Sequence, residues 1–290
     1  MQYLAPLTLN DAVDALCTAA GKARVMAGGT DLIVRAAVAG HPPVLLDLKQ
    51  VPELMALQQH ADGSFTVGAA VCGADIYMHP QLRQAWPGVT EAMDLIGSAQ
   101  IQNRASLGGN LCNASPAADS VPALIAARAR CRVIGPFGER EIPVEDVIVS
   151  PGKTCLRADE IVVSFLLPAR PANSADAYLR MTPRTEMDIA VAGAAASLVL
   201  DEQGLVEHCH VALGAVSPVP LLATSAVKVL SGTRLEDEIM SRFRRQISAA
   251  CRPIDDKRGT AEYRTDIAAV LAARAVQIAY DRASQQRTDR

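Results

Sequence analysis

The sequence predicts an α+β protein with two domains. At roughly 150 residues per domain, a chain of 290 residues has room for two hydrophobic cores. The first part of the chain alternates short apolar runs with segments of helical spacing, whereas the later part opens on a long hairpin pattern and continues into helical segments. Residues 169–175 have the composition of a linker. We therefore expect domains at residues 1–170 and 176–284.

The N-terminal elements follow from apolar spacing and from capping residues. Residues 8–20 carry their apolar side chains on one helical stripe, with Thr8 as the candidate N-cap and Gly21 as the stop. Residues 23–27 form an apolar run that predicts a strand, and residues 32–39 again have helical character. Two glycines lie between them, so the order strand, glycine turn and helix is expected here.

The same patterns predict the remaining elements. In the first domain they are a strand at 44–48, a hairpin with strands at 55–59 and 65–68, a helix at 123–128, and strands at 131–134 and 160–167. In the second domain they are a strand at 178–180, a hairpin with strands at 189–200 and 205–215, and helices at 225–230, 235–251 and 260–282. The second domain is therefore expected to be a small antiparallel sheet backed by helices.

Composition and charge argue against several classes of function for this chain. Only 10 residues are aromatic (Phe 4, Tyr 5 and Trp 1), so Ala, Val, Leu and Ile must build most of the core. The net charge is −3 and no basic block is interleaved with aromatic residues, which argues against a nucleic-acid partner. The N-terminus lacks the features of a secretory signal, and no apolar stretch reaches the roughly 18 residues that span a bilayer. A cytoplasmic protein without a membrane span is expected.

The seven cysteines are dispersed, and the closest two in sequence lie 19 residues apart. This spacing predicts no zinc or iron–sulfur site and suits free thiols in a reducing compartment. Cys112 is expected to be a small buried residue rather than a redox thiol. His208 and His210 share one face of a predicted strand, but no third ligand is visible, so a solvated strand face is favoured over a metal site. We expect no metal site and no catalytic side chain on this chain.

Gly28 and Gly29 lie where the first predicted strand passes into a helix. The sequence AGGTD at 27–31 allows backbone conformations that a side chain forbids, and it brings amide N–H groups close to an anion. Alone this pattern is weak, because a Gly-Gly turn between a strand and a helix is common. The turn is a candidate phosphate-binding loop.

A second glycine pair strengthens this interpretation. The segment SLGGN at 106–110 is followed by Asn113, Ser115 and Asp119, at spacings that allow all three to face one ligand. Two such loops indicate two anionic groups or both sides of one pyrophosphate. The usual nucleotide-binding motifs do not explain these two loops. The sequence GxGxxG is absent, and GKT at 152–154 is not part of a P-loop, because Val147 stands where a P-loop has its first glycine.

Five segments of the chain together form a recognisable pattern. They are AGGTDL at 27–32, QNRASLGGNLCNASPAADSVPAL at 102–124, EIVVSFLLP at 160–168, MDIA at 187–190 and RGTAEYR at 258–264. In this order they resemble the FAD-binding medium subunits of the molybdenum hydroxylases, the carbon monoxide dehydrogenase and xanthine dehydrogenase group. The resemblance implies an N-terminal FAD-binding domain of the vanillyl-alcohol-oxidase (PCMH) type, made of two α/β subdomains. It also implies a C-terminal α+β domain that completes the flavin site.

The resemblance also implies which residues of this chain bind the cofactor. The first pyrophosphate loop matches Val25, Met26, Ala27, Gly28, Gly29, Thr30, Asp31 and Leu32, and the second matches Ser106, Leu107, Gly108, Gly109 and Asn110. Backbone amides of both loops would hold the pyrophosphate of FAD. Asn113 and Ser115 follow, and Asp119 falls where a carboxylate accepts hydrogen bonds from hydroxyl groups of the cofactor.

Three further positions match residues near the flavin. Ile96 falls where the family packs an apolar or aromatic side chain on the cofactor, and Val162 falls where it lines the flavin, although both also fit plain core residues. Arg180 stands where relatives commonly carry Lys, a cation near the flavin or its phosphate. Arg and Lys differ in donor geometry and hydration, and a surface arginine is the alternative.

The resemblance implies an electron-transfer subunit of a multi-subunit hydroxylase. The molybdenum cofactor and the 2Fe–2S clusters would belong to a large and a small partner subunit, and FAD on this chain would pass their electrons to an external acceptor. Two alternatives remain, a self-contained flavin oxidoreductase that acts on a small substrate and a scaffold that has lost the cofactor. The sequence does not identify the substrate, the acceptor or the stoichiometry of the complex.

Overall fold

The N-terminal sheet consists of three short parallel strands. A computed structural model describes residues 1–288. The chain begins with β1 (Gln2–Leu4), α1 (Leu9–Ala19), β2 (Ala23–Met26), α2 (Leu32–Ala39) and β3 (Val44–Asp47), and β3 pairs in parallel with both other strands. The Thr8 hydroxyl accepts a hydrogen bond from the Asp11 N–H, as the capping pattern predicts. The predicted order of strand, glycine turn and helix is confirmed at β2 and α2.

One short helix connects this sheet to the first two strands of a second sheet, and six more short helices follow those strands. After α3 (Pro52–Met55), the strands β4 (Leu57–Gln59) and β5 (Phe65–Gly68) form the predicted hairpin. The first strand begins at Leu57, two residues later than expected, because Pro52 starts a helical turn that includes Met55. The helices that follow are α4 (Gly73–Met78), α5 (Pro80–Ala85), α6 (Pro87–Asp94), α7 (Ala99–Gln102), α8 (Leu107–Cys112) and α9 (Ser120–Ala126).

The second sheet has five antiparallel strands. After α9 come β6 (Arg130–Gly135), β7 (Gly138–Pro143), a small separate hairpin of β8 (Ile148–Ser150) and β9 (Lys153–Thr154), and β10 (Ile161–Leu167). The strand order is β4-β5-β10-β6-β7. The central strand β10 joins the two hairpins and is buried at six of its seven residues, which explains why its sequence is an unbroken apolar run apart from Ser164.

The C-terminal domain is one antiparallel sheet with helices against one face. Its strands β11 (Ser174–Met181), β12 (Ala192–Leu200), β13 (Val206–Gly214) and β14 (Leu221–Leu222) pair in chain order, and α10 (Asp237–Ala250) and α11 (Ala261–Thr288) follow them. Both helices share a hydrophobic core with the sheet. The predicted α+β class is confirmed. The strand β12 begins three residues later than expected, and α11 continues six residues beyond the predicted end.

The segment at 169–175 is anchored and is only partly a linker. Its last two residues already belong to β11. The Arg170 guanidinium lies 4.1 Å from the centre of the Trp86 ring and 3.0 Å from the Asp176 carboxylate, and its side chain is buried. A buried guanidinium needs such partners. Composition alone could not reveal them, because Trp86 lies 84 residues earlier in the chain.

One face of the C-terminal sheet packs against the N-terminal domain. Tyr178, Ala195 and Ala212 belong to the N-terminal hydrophobic core, whereas Ala194 and Leu213 belong to the C-terminal one. Side chains alternate between the two faces of a strand, so the same strands serve both cores. The small alanines allow the sheet to approach the N-terminal domain closely.

Candidate functional site

The first glycine loop follows β2 and packs against the segment of the chain that contains Arg104. A Cβ atom on Gly28 would overlap the carbonyl oxygen of Arg104, so this position has no room for a side chain. The Arg104 Nε also donates a hydrogen bond to the Gly28 carbonyl at 3.4 Å. Gly29 has a φ of +76°, in the left-handed region that favours glycine. Each glycine is therefore required for a different reason.

The N–H groups of this loop are free. Within residues 1–288, the backbone N–H groups of residues 28–31 donate no hydrogen bond to another protein atom. They are consecutive and stand at the start of α2, whose dipole favours an anion there. This cradle fits the charge of a pyrophosphate group.

A lysine that the sequence interpretation missed supports the loop. The Lys49 Nζ donates to the Ala27 carbonyl at 3.0 Å and to the Asp47 carboxylate at 2.6 Å. Burial works to raise the pKa of Asp47, but the hydrogen bonds from Lys49 and Tyr3 hold it below its usual value. The sequence offered one signal for this contact: the charged residues Asp47 and Lys49 lie at the end of β3, which pairs in parallel with β2.

The second glycine segment is the first turn of α8. The Ser106 side chain caps this helix by accepting from the Gly109 N–H at 3.1 Å, and the Gly108 N–H donates to the Ala69 carbonyl at 3.0 Å. The Asn110 N–H donates to the Ser106 carbonyl. These three amides already have acceptors within the protein. That the backbone amides of both glycine loops hold a pyrophosphate stays a prediction.

The end of α8 leads into a loop whose carboxylate is buried. Asn113 caps the helix, and the Ser115 hydroxyl accepts from the Ala117 N–H at 3.3 Å. Asp119 is 8% exposed. Its Oδ1 atom accepts a hydrogen bond from the Tyr178 hydroxyl at 2.7 Å, and its Oδ2 atom accepts one from Arg180 Nη1 at 2.7 Å. The structure thus joins two predicted site residues directly.

The Arg180 side chain is 4% exposed, so the alternative of a surface arginine is wrong. Burial raises the pKa of Asp119, and the positive charge of Arg180 and the Tyr178 hydroxyl offset part of that rise. Burial and the adjacent carboxylate raise the pKa of Tyr178 well above its usual value. A carboxylate has about four acceptor positions. Asp119 therefore keeps acceptor capacity for hydroxyl groups of a ligand.

The two predicted apolar contacts lie in the N-terminal domain. Val162 is 5% exposed and belongs to the hydrophobic core, beside an irregularity where the pairing of β10 with β6 shifts. Such irregularities often lie next to functional sites. Ile96 is half-buried and packs against the same core. The next residue, Gly97, accepts a hydrogen bond from the Met187 N–H at 3.2 Å, which brings the MDIA segment to this place.

Cys112 is exposed, so the expectation of a buried side chain is wrong. Desolvation by the surrounding protein raises the pKa of its thiol to about 12. It is therefore not a thiolate at neutral pH. Among residues 1–288, no group of three or more His, Cys, Asp or Glu side chains is placed to bind a metal ion. No helix in that part of the chain has the length and hydrophobicity of a membrane span.

Known proteins are similar to this chain in both sequence and fold. Residues 1–170 match the family model of the FAD binding domain in molybdopterin dehydrogenase, and residues 177–279 match the CO dehydrogenase flavoprotein C-terminal domain. The chain is 30% identical to the carbon monoxide dehydrogenase medium chain of Afipia carboxidovorans over 97% of both chains. It is 27% identical to a putative xanthine dehydrogenase FAD-binding subunit of Escherichia coli over 94% of both.

A solved structure of carbon monoxide dehydrogenase from Hydrogenophaga pseudoflava matches with a TM-score of 0.92 at 29% identity, over 97% of this chain and 98% of that one. The match spans both domains, and the free amides of the first glycine loop suit the pyrophosphate of the cofactor that this family binds. The chain therefore belongs to the FAD-binding medium subunits of the molybdenum hydroxylases, a family of oxidoreductases.

Proposed function

We propose that this chain accepts electrons from 2Fe–2S clusters of a partner subunit and passes them to an external acceptor. The observation that carries the proposal is the cradle of free N–H groups at residues 28–31, in a chain that matches flavoprotein subunits along nearly its whole length. FAD supplies the redox chemistry, because a flavin accepts electrons singly and releases them as a pair. The protein contributes binding and electrostatics, and no side chain needs to act as an acid or base.

Each part of the candidate site has a role in this proposal. The amides at residues 28–31 bind the pyrophosphate, and Asp119 accepts hydrogen bonds from cofactor hydroxyl groups. Arg180 provides a buried positive charge near the flavin. Ile96 and Val162 provide apolar surface. We propose domains at residues 1–170 and 176–284, and the end of the first family match at residue 170 supports this boundary.

The surface of α2 supports a partner next to the cofactor loop. Ile33, Val34 and Val38 are 60%, 65% and 89% exposed, and Arg35 on the same helix is exposed too. Exposed apolar side chains grouped on one helix in this way favour an interaction site. Since α2 begins directly after the loop, we propose that the small iron–sulfur subunit covers this surface. The molybdenum cofactor would belong to a large subunit, and the free cysteines suit a cytoplasmic complex.

The first experiment measures electron transfer directly. The purified chain is mixed with the reduced iron–sulfur subunit of its complex, and the visible absorbance of the bound flavin is followed. Rapid bleaching supports the proposal. A chain that reacts with small donors and acceptors but not with the reduced subunit is instead a self-contained oxidoreductase, and a chain that takes up no FAD is a scaffold.

A second experiment tests the docking surface. Glutamates at two exposed positions, Val34→Glu with Val38→Glu, should abolish co-purification with the iron–sulfur subunit and leave the FAD content unchanged. Ile254→Glu is the matched control, because Ile254 is 70% exposed but lies in the C-terminal domain. Normal assembly of the double variant would refute docking at α2.

A further inference from the structure

We propose that Tyr178 is a positioning residue of the cofactor site, whose hydroxyl holds the Asp119 carboxylate in the orientation that binds cofactor hydroxyl groups. Through this contact the C-terminal domain shapes a binding group of the N-terminal domain. FAD affinity therefore depends on how the two domains dock. The inference rests on the proposed role of Asp119.

Tyr178 connects the two domains through two hydrogen bonds, one from its hydroxyl group and one from its backbone N–H. It lies on β11, and its side chain is buried in the N-terminal hydrophobic core. Its hydroxyl donates to Asp119 Oδ1, 59 residues away, and its backbone N–H donates to Glu91 Oε2 on α6 at 2.9 Å. Both acceptors belong to the N-terminal domain. The tyrosine is thus fixed at both ends before any ligand binds.

Asp119 does not hold its own orientation. It occupies the N-cap position of α9, but its side chain makes no capping hydrogen bond. Its two oxygen atoms instead contact Tyr178 and Arg180, both on β11. An aspartate at this position would ordinarily accept from the first helical N–H groups. The C-terminal domain therefore determines which way this carboxylate faces.

The neighbouring strand leaves space for the tyrosine hydroxyl. Gly193 lies on β12 opposite Arg180, and a Cβ atom there would be 2.6 Å from the Tyr178 hydroxyl oxygen. A side chain at this position would push the hydroxyl away from Asp119. The glycine in an otherwise alanine-rich strand is explained by this contact.

FAD titration of the apo chain tests the inference. Tyr178→Phe removes the hydroxyl and should weaken FAD binding about tenfold, the effect of losing a hydrogen bond to a charged group. Tyr280→Phe is the matched control, because it also removes a hydroxyl hydrogen bond, to the Gly204 carbonyl at 2.8 Å, within the C-terminal domain. Its FAD affinity should equal that of the wild type.

A double-mutant cycle separates positioning from general damage. If Tyr178 acts through Asp119, then Tyr178→Phe should cause no further loss of affinity in an Asp119→Asn background. Circular dichroism and thermal unfolding establish that each variant is folded. Gly193→Ala offers an independent route, since it keeps the hydroxyl but displaces it, and it should also weaken FAD binding.

Unchanged affinity in Tyr178→Phe overturns the inference. So do additive losses in the cycle, or an equal loss in Tyr280→Phe. A wild-type chain that binds no FAD refutes the proposed function itself, and that result is visible before any variant is compared.

Discussion

The two glycine pairs of this chain look alike in sequence and differ in structure. The loop at 27–31 presents free N–H groups at the start of α2 and has no room for a side chain at Gly28. In the segment at 106–110, the amides of both glycines donate within the protein, to Ala69 and Ser106. The amides of the first pair are therefore free within the described chain, whereas those of the second pair are used in contacts with the rest of the protein.

This difference shows that a glycine pair does not by itself define an anion site. What distinguishes the two is whether the surrounding chain supplies acceptors for the amides. A serine three residues before Gly109 caps the helix and takes that acceptor position. Within the described chain, no residue accepts a hydrogen bond from the backbone N–H groups of residues 28–31. Four substitutions test this contrast, beginning with the largest expected effect.

Gly28→Ala should have the largest effect. The added methyl group overlaps the Arg104 carbonyl, so the loop must move. We expect a loss of about 3 kcal/mol in the free energy of unfolding, together with loss of bound FAD. Chemical denaturation and the flavin content per chain measure the two effects. A variant with wild-type stability that retains FAD would show that the loop is not held against Arg104.

Gly108→Ala should cost stability without removing a ligand contact. A Cβ atom there would lie 2.6 Å from the Ala69 carbonyl oxygen. We expect a loss of about 1–2 kcal/mol in the free energy of unfolding and a smaller change in FAD affinity than in Gly28→Ala. Titration of the folded variant at low temperature gives the affinity. Equal loss of affinity in both variants would contradict the distinction between the two glycine pairs.

Lys49→Met tests the support of the first loop. It removes the hydrogen bonds to Ala27 and Asp47, and we expect a loss of about 1 kcal/mol in the free energy of unfolding at neutral pH. The pKa of Asp47 is lowered in the folded protein, so this contribution is present above pH about 4 and is lost as the pH falls further. The difference between variant and wild type should therefore shrink in acid. Denaturation over a pH series measures it, and a constant difference would exclude this role of Asp47.

Gly109→Ala should have the smallest effect. Within 4 Å, a Cβ atom there would meet only the Ser106 hydroxyl oxygen, at 3.3 Å. Alanine favours a helix over glycine by about 1 kcal/mol, so we expect equal or slightly greater stability and normal FAD content. Loss of FAD in this well-folded variant would show that the cofactor approaches Gly109 closely, and the contrast between the two pairs would then fail.

The sequence by itself determined the elements whose causes are local. The cap at Thr8, the strand and helix around Gly28 and the hairpin of β12 and β13 depend on residues within a few positions of one another. The family was also readable from the sequence, because its motifs occur in order along nearly the whole chain. Their spacing marked which loops hold candidate site residues.

Only the tertiary structure decided how those residues interact. Asp119 and Arg180 are 61 residues apart and pair because one face of β11 docks on the N-terminal domain. Tyr178 shares that face, since residues two apart on a strand point the same way, and it completes the group. Local patterns cannot tell which amides keep a free N–H. That depends on acceptors such as the Ala69 carbonyl, which the folded chain brings from far along the sequence.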